Sequence, residues 1–269
     1  MNAPDRKLIA IDLDGTLLTR DKKISPRTKR VLEEARNAGH HVVIATGRPP
    51  RSALDYYQEL SLHTPMVNFN GALVHHAKDE AWGHHHFPLD RTTALTIIEA
   101  CEKFGVENVM VEIKDDFYLK HEDDEMVKIL CAGAPALGVG HIPHLLRDDP
   151  TAVLIKPQAH SVPQLRAHLQ EHHADLIEHR HWGAPWNVIE VIKSGVTKAS
   201  GLQVIAGSLG VPRENIIAFG DEDNDFEMIE YAGHGVAMGN AHPKLKELAN
   251  EITRTNDEDG IAHVLERLL

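Results

Sequence analysis

Two short apolar runs, LIAI (8–11) and HVVIAT (41–46), enclose a stretch patterned as a helix, and this order of signals narrows the folds open to the chain. Runs of this length read as buried strands. Between them Ser25 stands at a helix N-cap, Pro26 at the first helical position and Gly39 past the end, while Val31, Leu32, Ala35 and Ala38 share one apolar face. Strand, helix, strand in that order makes a parallel pair with a right-handed crossover. MVNF (66–69) is expected to extend the same sheet. The pattern returns near the C-terminus with a helix from about Lys198 to Leu209, the strand IIAF (216–219), a helix around Asp225 to Tyr231, and GVAM (235–238). The sheet therefore draws strands from both ends of the chain. The expected fold is α/β, with a Rossmann-like parallel-sheet core formed by residues 1–82 and 191–269. Residues 83–190 differ in texture, alternating helix and strand signals from TTALTIIEACEKFG through AVLIKP to NVIEVI, and read as an inserted α+β domain.

The 269 residues, 42% of them hydrophobic, suffice for a packed core. No apolar run reaches the roughly 18 residues that cross a bilayer, and MNAPDRKL lacks the form of a secretion signal, so a cytoplasmic protein with no membrane partner is expected. Cys101 and Cys131 have no CxxC spacing and read as buried, reduced thiols. A net charge of −12 argues against nucleic-acid binding but leaves room for a small anionic substrate if positive charge is concentrated locally. The histidines at 75, 76 and 84–86 invite a metal reading. Adjacent rings cannot all face one ion, and no zinc-like spacing accompanies them, so they read as a solvated surface run. Trp182 and Trp186 in the insert read as packing residues.

Ligands of open parallel sheets bind beyond the carboxyl ends of the strands, and four polar signals lie there. They are Asp12 and Asp14, then Thr46, Gly47 and Arg48, then Asn70 and Gly71, and finally GDEDND (220–225). If strand geometry persists through Asp12 and Asp14, their carboxylates converge, and the repulsion must be relieved by a proton or a cation. Asp12, Asp14 and Asp221 offer hard oxygen donors of the kind that suit Mg²⁺, which is commonly completed by substrate phosphate. Thr46 and the amides around Gly47 can donate to an anion, and Lys198 can supply balancing positive charge. Asn70 reads as a turn cap, and Arg48 as a surface-pairing arginine with a lesser claim on substrate.

DLDGTLL, ATGR, Lys198 and GDEDNDFEMI, in this order and spacing, resemble the haloacid dehalogenase superfamily of phosphatases, and the long insert is similar to that of its Cof-type subfamily. The likeness runs through VAMGNA (236–241) to the closing EDGIAHVLERLL. Ala199 after Lys198 departs from the glycine frequent in the family. The resemblance implies a Mg²⁺-dependent phosphatase acting on small phosphorylated metabolites, sugar or cofactor phosphates, through an aspartyl-phosphate. Asp12 would be the nucleophile and Asp14 the general acid and base. The metal would lie on the Asp12 carboxylate, the Asp14 carbonyl and Asp221, with Asp225 in support. Thr46, Gly47, Lys198 and Asn224 would hold phosphate, and the insert would act as a cap. The partner expected is a small phosphomonoester, and the chain a monomer or homodimer. Two rival readings are a phosphomutase of the same fold, which needs a second phosphate pocket, and a non-catalytic phosphate-binding protein.

Overall fold

The structure, a computed structural model, describes residues 6–182 and 187–269. Its chain falls into two compact units, one made of residues up to 47, 53–85 and 197–269, the other of 48–52 and 86–196.

The first unit is built on β1 (Leu8–Ile11), the helix α1 (Pro26–Asn37) and β2 (His41–Ile44). Every β1 side chain is buried, as a central strand covered on both faces requires. Ser25 caps α1 by accepting from the Thr28 amide; Val31, Leu32 and Ala35 face the core, whereas Ala38 is the exposed C-cap. After α2 (Pro50–Glu59), β3 (Met66–Asn68) and β4 (Leu73–His75) run antiparallel and share a small sheet with β5 (His84–His86). MVNF thus meets the main sheet through the parallel bridge Ala45–Val67 while forming its own hairpin with β4.

The second unit carries α3 (Arg91–Cys101), β6 (Val106–Ile113), β7 (Asp116–Leu119), α4 (Asp124–Leu130), β8 (Gly138–Val139), α5 (Ile142–Leu145), β9 (Ala152–Pro157), α6 (Val162–His173), β10 (Ile177–His181) and β11 (Ile189–Lys193). Its six strands lie in the order β10-β11-β9-β6-β7-β8. Ile97, Leu165 and Leu169 of α3 and α6 pack with Val109, Val153 and Ile155 of the sheet, and Met126 packs in a separate cluster with Met110, Phe117 and Leu154. That is a two-sided α+β layer.

The chain then completes the first sheet with α7 (Lys198–Leu209), β12 (Ile216–Gly220), α8 (Phe226–Tyr231), β13 (His234–Ala237), α9 (Pro243–Leu248), β14 (Glu251–Ile252) and α10 (Gly260–Leu268). The order β14-β13-β12-β1-β2 is parallel throughout. No helix among the described residues is long and apolar enough to cross a membrane.

The histidine run is only partly solvated. His84 and His85 are exposed, but His86 is half-buried with Nε2 2.9 Å from Thr151 Oγ1, and half-buried His75 has Nε2 3.0 Å from Asn68 Oδ1. The apolar alternation of a strand is absent from HHH, so its place in β5 was not readable from pattern. Both cysteines are buried and unpaired. Half-buried Trp182 packs with the cluster around Met110 and Phe117; Trp186 lies outside the described residues.

Candidate active site

The parallel register that sets Ile11 beside Phe219 carries on for one residue, with the Asp12 amide donating to the Phe219 carbonyl at 3.1 Å. Asp12 therefore leaves β1 level with Gly220 and Asp221 leaving β12. The chain then turns at once: the amides of Leu17 and Leu18 donate to the carbonyls of Asp12 and Leu13. Strand geometry ends before Asp14, so the alternation that would aim Asp12 and Asp14 at one point does not apply. The Asp14 carboxylate instead receives Lys22 Nζ at 2.6 Å in a half-exposed pair.

The turn needs Gly15. Its φ is +81°, and a Cβ there would stand 2.1 Å from Asp221 Oδ2, so neither the backbone nor the space admits a side chain. Thr16 Oγ1, buried, donates to Asp221 Oδ1 at 2.7 Å. Thr16 is the last residue of the DLDGT motif, and the sequence reading gave it no role.

On the other side α7 begins at Lys198, with Thr197 as its N-cap accepting from Ser200. Lys198 is fully buried, and its Nζ lies 2.6 Å from Asp12 Oδ1 and 2.7 Å from Asp225 Oδ1. Asp225 uses its other oxygen to accept from the amides of Asp221 and Glu222, which fixes the 220–225 turn. Oxygens of Asp12, Asp221 and Asp225 lie within 4.8 Å of one another.

Three buried carboxylates thus face one buried ammonium, leaving two formal negative charges over. Burial lifts Asp12 well above the usual carboxylate range; Lys198 opposes that rise, and Asp225 and Asp221 add to it. Burial likewise pushes Asp221 up to about 7, with Asp225 adding and the Thr16 hydroxyl opposing. For Lys198, burial alone would lower the value, but Asp12 and Asp225 outweigh it and hold the ammonium above the ordinary lysine range. Hard oxygen donors, their closeness and a deficit of two positive charges fit a divalent cation of the Mg²⁺ type. The side chains so gathered are Asp12, Asp221 and Asp225; Asp14 is outside that group.

The second signal sits beside this cluster. Thr46 is buried, its amide donates to Val67 O at 2.9 Å, and its carbonyl accepts from the Asn70 amide at 3.1 Å. Asn224 Nδ2 donates to Asn70 Oδ1 at 2.9 Å, and a Cβ on Gly47 would stand 3.1 Å from Asn70 Nδ2. The structure therefore brings together Thr46, Gly47, Asn70 and Asn224. Arg48 Nη1 donates to the Ser52 carbonyl. Asn240, also without a role in the sequence reading, donates to the Gly15 carbonyl at 2.8 Å. Only its place in VAMGNA could have drawn attention to it.

The model of the haloacid dehalogenase-like hydrolases matches residues 9–265, almost the whole chain. The chain belongs to that family. It is 48% identical over 258 residues to a 5-amino-6-(5-phospho-D-ribitylamino)uracil phosphatase of Bacillus subtilis, covering 96% of each chain. A pyridoxal phosphate phosphatase of Escherichia coli is 30% identical over 276 residues, covering 96% of this chain and 97% of its own. The crystal structure of a haloacid dehalogenase-like hydrolase from Bacteroides thetaiotaomicron superposes with a TM-score of 0.84 at 26% identity, over 98% of this chain and 100% of that one. With such relatives along its full length, this hydrolase is a phosphatase.

Proposed function

We propose that this phosphatase hydrolyses small phosphomonoesters at the Asp12–Asp221–Asp225–Lys198 cluster with Mg²⁺ bound there. The observation that carries the reading is the cluster itself, three buried carboxylates gathered beyond the ends of parallel strands, two of them paired with one buried ammonium. Lys198 engages Oδ1 of Asp12, which leaves Oδ2 as the nucleophilic oxygen.

In the first step Asp12 Oδ2 forms a bond to phosphorus as the ester P–O bond breaks, and Asp14 gives its proton to the departing alkoxide. In the second, water attacks the aspartyl-phosphate, Asp14 takes the water's proton, and the bond to Asp12 breaks to release inorganic phosphate. Thr46, the Gly47 amide and Lys198 hold the phosphoryl oxygens, and Asn224 and Asp225 keep the loops around them in place. Mg²⁺ bound by the Asp12 and Asp221 carboxylates and the Asp14 carbonyl, with Asp225 in support, would offset negative charge on the carboxylates and phosphate. Asp14 must release Lys22 to act on the leaving group, so that exposed ion pair belongs to the substrate-free arrangement.

The insert, as a cap, selects the substrate through its own side chains. The names of the relatives support a phosphate ester borne by a small polar heterocyclic metabolite, with 5-amino-6-(5-phospho-D-ribitylamino)uracil and pyridoxal phosphate as first candidates. The test is phosphate release from a panel containing both compounds and several sugar phosphates, with and without Mg²⁺, for wild type and Asp12→Asn. Release that needs both Mg²⁺ and Asp12 is expected. Turnover by Asp12→Asn above a few per cent of wild type would remove Asp12 as nucleophile.

A further inference from the structure

We infer that Asn70 is a positioning residue for phosphoryl transfer, the keystone of a strained turn that holds the phosphate loop, the acidic loop and the lysine helix in one register. The inference rests on the phosphatase reading above and adds a residue to it.

The turn Phe69–Gly71 is unusual in its backbone. Phe69, Asn70 and Gly71 have φ values of +49°, +53° and +110°, three left-handed residues in succession, the first two carrying side chains. Such conformations are costly for a residue like phenylalanine and persist only where the surroundings impose them. Both Phe69 and Asn70 are buried, so solvent accommodates none of this strain.

What the turn touches accounts for the strain. The Asn70 amide donates to the Thr46 carbonyl at 3.1 Å, fixing the residue next to Gly47 in the phosphate loop. Its side-chain oxygen accepts from Asn224 Nδ2 at 2.9 Å, tying in the 220–225 turn that carries Asp221 and Asp225. A Cβ on Gly71 would stand 2.1 Å from the Thr197 carbonyl, so this backbone packs directly on the N-cap of the helix that begins with Lys198. Asn70 and Gly71 thus meet three separate parts of the site. An ordinary extended or helical path through 69–71 would lose at least one of these contacts. Asparagine suits the middle position because it tolerates the left-handed region and carries an amide that can bond both ways.

A residue acting through others should affect rate more than stability. Asn70→Gly keeps the left-handed backbone at lower strain but removes the amide, and Asn224→Ala removes the same hydrogen bond from its other end. The experiment measures kcat, KM and melting temperature with p-nitrophenyl phosphate and Mg²⁺ for wild type, both single variants and the double variant. We expect Asn70→Gly to melt close to wild type while kcat falls on the order of 10²-fold, the scale of an ångström misplacement at a reacting centre. The double variant should lose no more than the worse single one, because both act through one bond. A kcat for Asn70→Gly within twofold of wild type, or losses that multiply in the double variant, would overturn the inference and leave the phosphatase reading standing. A wild type inert on this substrate and on the metabolite panel would remove that reading and the inference with it.

Discussion

At the scale of single residues, the site is a problem in buried charge. Asp12 and Asp225 share one lysine, and all three side chains are withdrawn from water. Removing one member of a buried ion cluster leaves the others uncompensated, at a cost of about 3–5 kcal/mol. Lys198→Met, which keeps most of the side-chain volume, is therefore expected to destabilise the metal-free protein by about that amount at pH 8. Urea unfolding in EDTA measures it, and a loss below about 1 kcal/mol would mean that the carboxylates are already protonated in the native state. Gly15 sets a second limit. Alanine there has the wrong φ and meets Asp221 Oδ2, so Gly15→Ala should weaken Mg²⁺ binding, read by titration calorimetry, more than it lowers the melting temperature. Both residues stand in motifs visible in the sequence. What could not be read there is that the strand stops at Ile11, which separates Asp14 from Asp12, because the turn depends on Asp221, more than 200 residues away.

At the scale of elements, local patterns were legible and long-range pairings were not. Ser25, Pro26 and the apolar face of α1 mark that helix by themselves, and α7 starts at Lys198 because Thr197 caps it. The hairpin of β3 with β4 gives no such signal, since MVNF is equally consistent with an inner parallel strand. Helix α2 shows the same limit more sharply. Its first turn belongs with the second unit, where Arg51 Nη2 meets both oxygens of Glu112 on β6 at 2.7 and 2.9 Å and its guanidinium lies over the Phe117 ring. Burial pushes Glu112 up to about 7, with Arg51 opposing the rise. A carboxyl that holds its proton more tightly when folded stabilises most below its unfolded value, and that contribution is lost as pH rises toward 7. Arg51→Met removes the opposing charge and raises the folded value further. Its stability loss should therefore be larger at pH 8 than at pH 5, by up to about 1.4 kcal/mol, measured by urea unfolding at both. Equal losses at the two pH values would mean that packing on Phe117, and not charge, is what Arg51 supplies.

Over the whole molecule, the acidic cluster should make stability depend jointly on pH and on Mg²⁺. Burial pushes Asp221 up to about 7 in the folded chain, above the ordinary carboxylate value of about 3.8 expected when it is unfolded. Without metal, the native state is the tighter proton binder between these values, so this group's contribution falls by up to about 1.4 kcal/mol per pH unit from about pH 4 to 7 and is then flat. Asn at position 221 has no proton to lose, and the stability difference between wild type and Asp221→Asn in EDTA should shrink or reverse across that window. Mg²⁺ acts in the opposite sense, because it competes with protons for the same oxygens and binds the native state alone. Its stabilising effect on the wild type should grow as pH rises through 7 and be largely absent in Asp221→Asn. Melting temperatures from pH 5 to 9, in EDTA and in saturating Mg²⁺, test both trends together. A Mg²⁺ effect of the same size at every pH, or one retained in Asp221→Asn, would place the cation away from the Asp12–Asp221–Asp225 cluster.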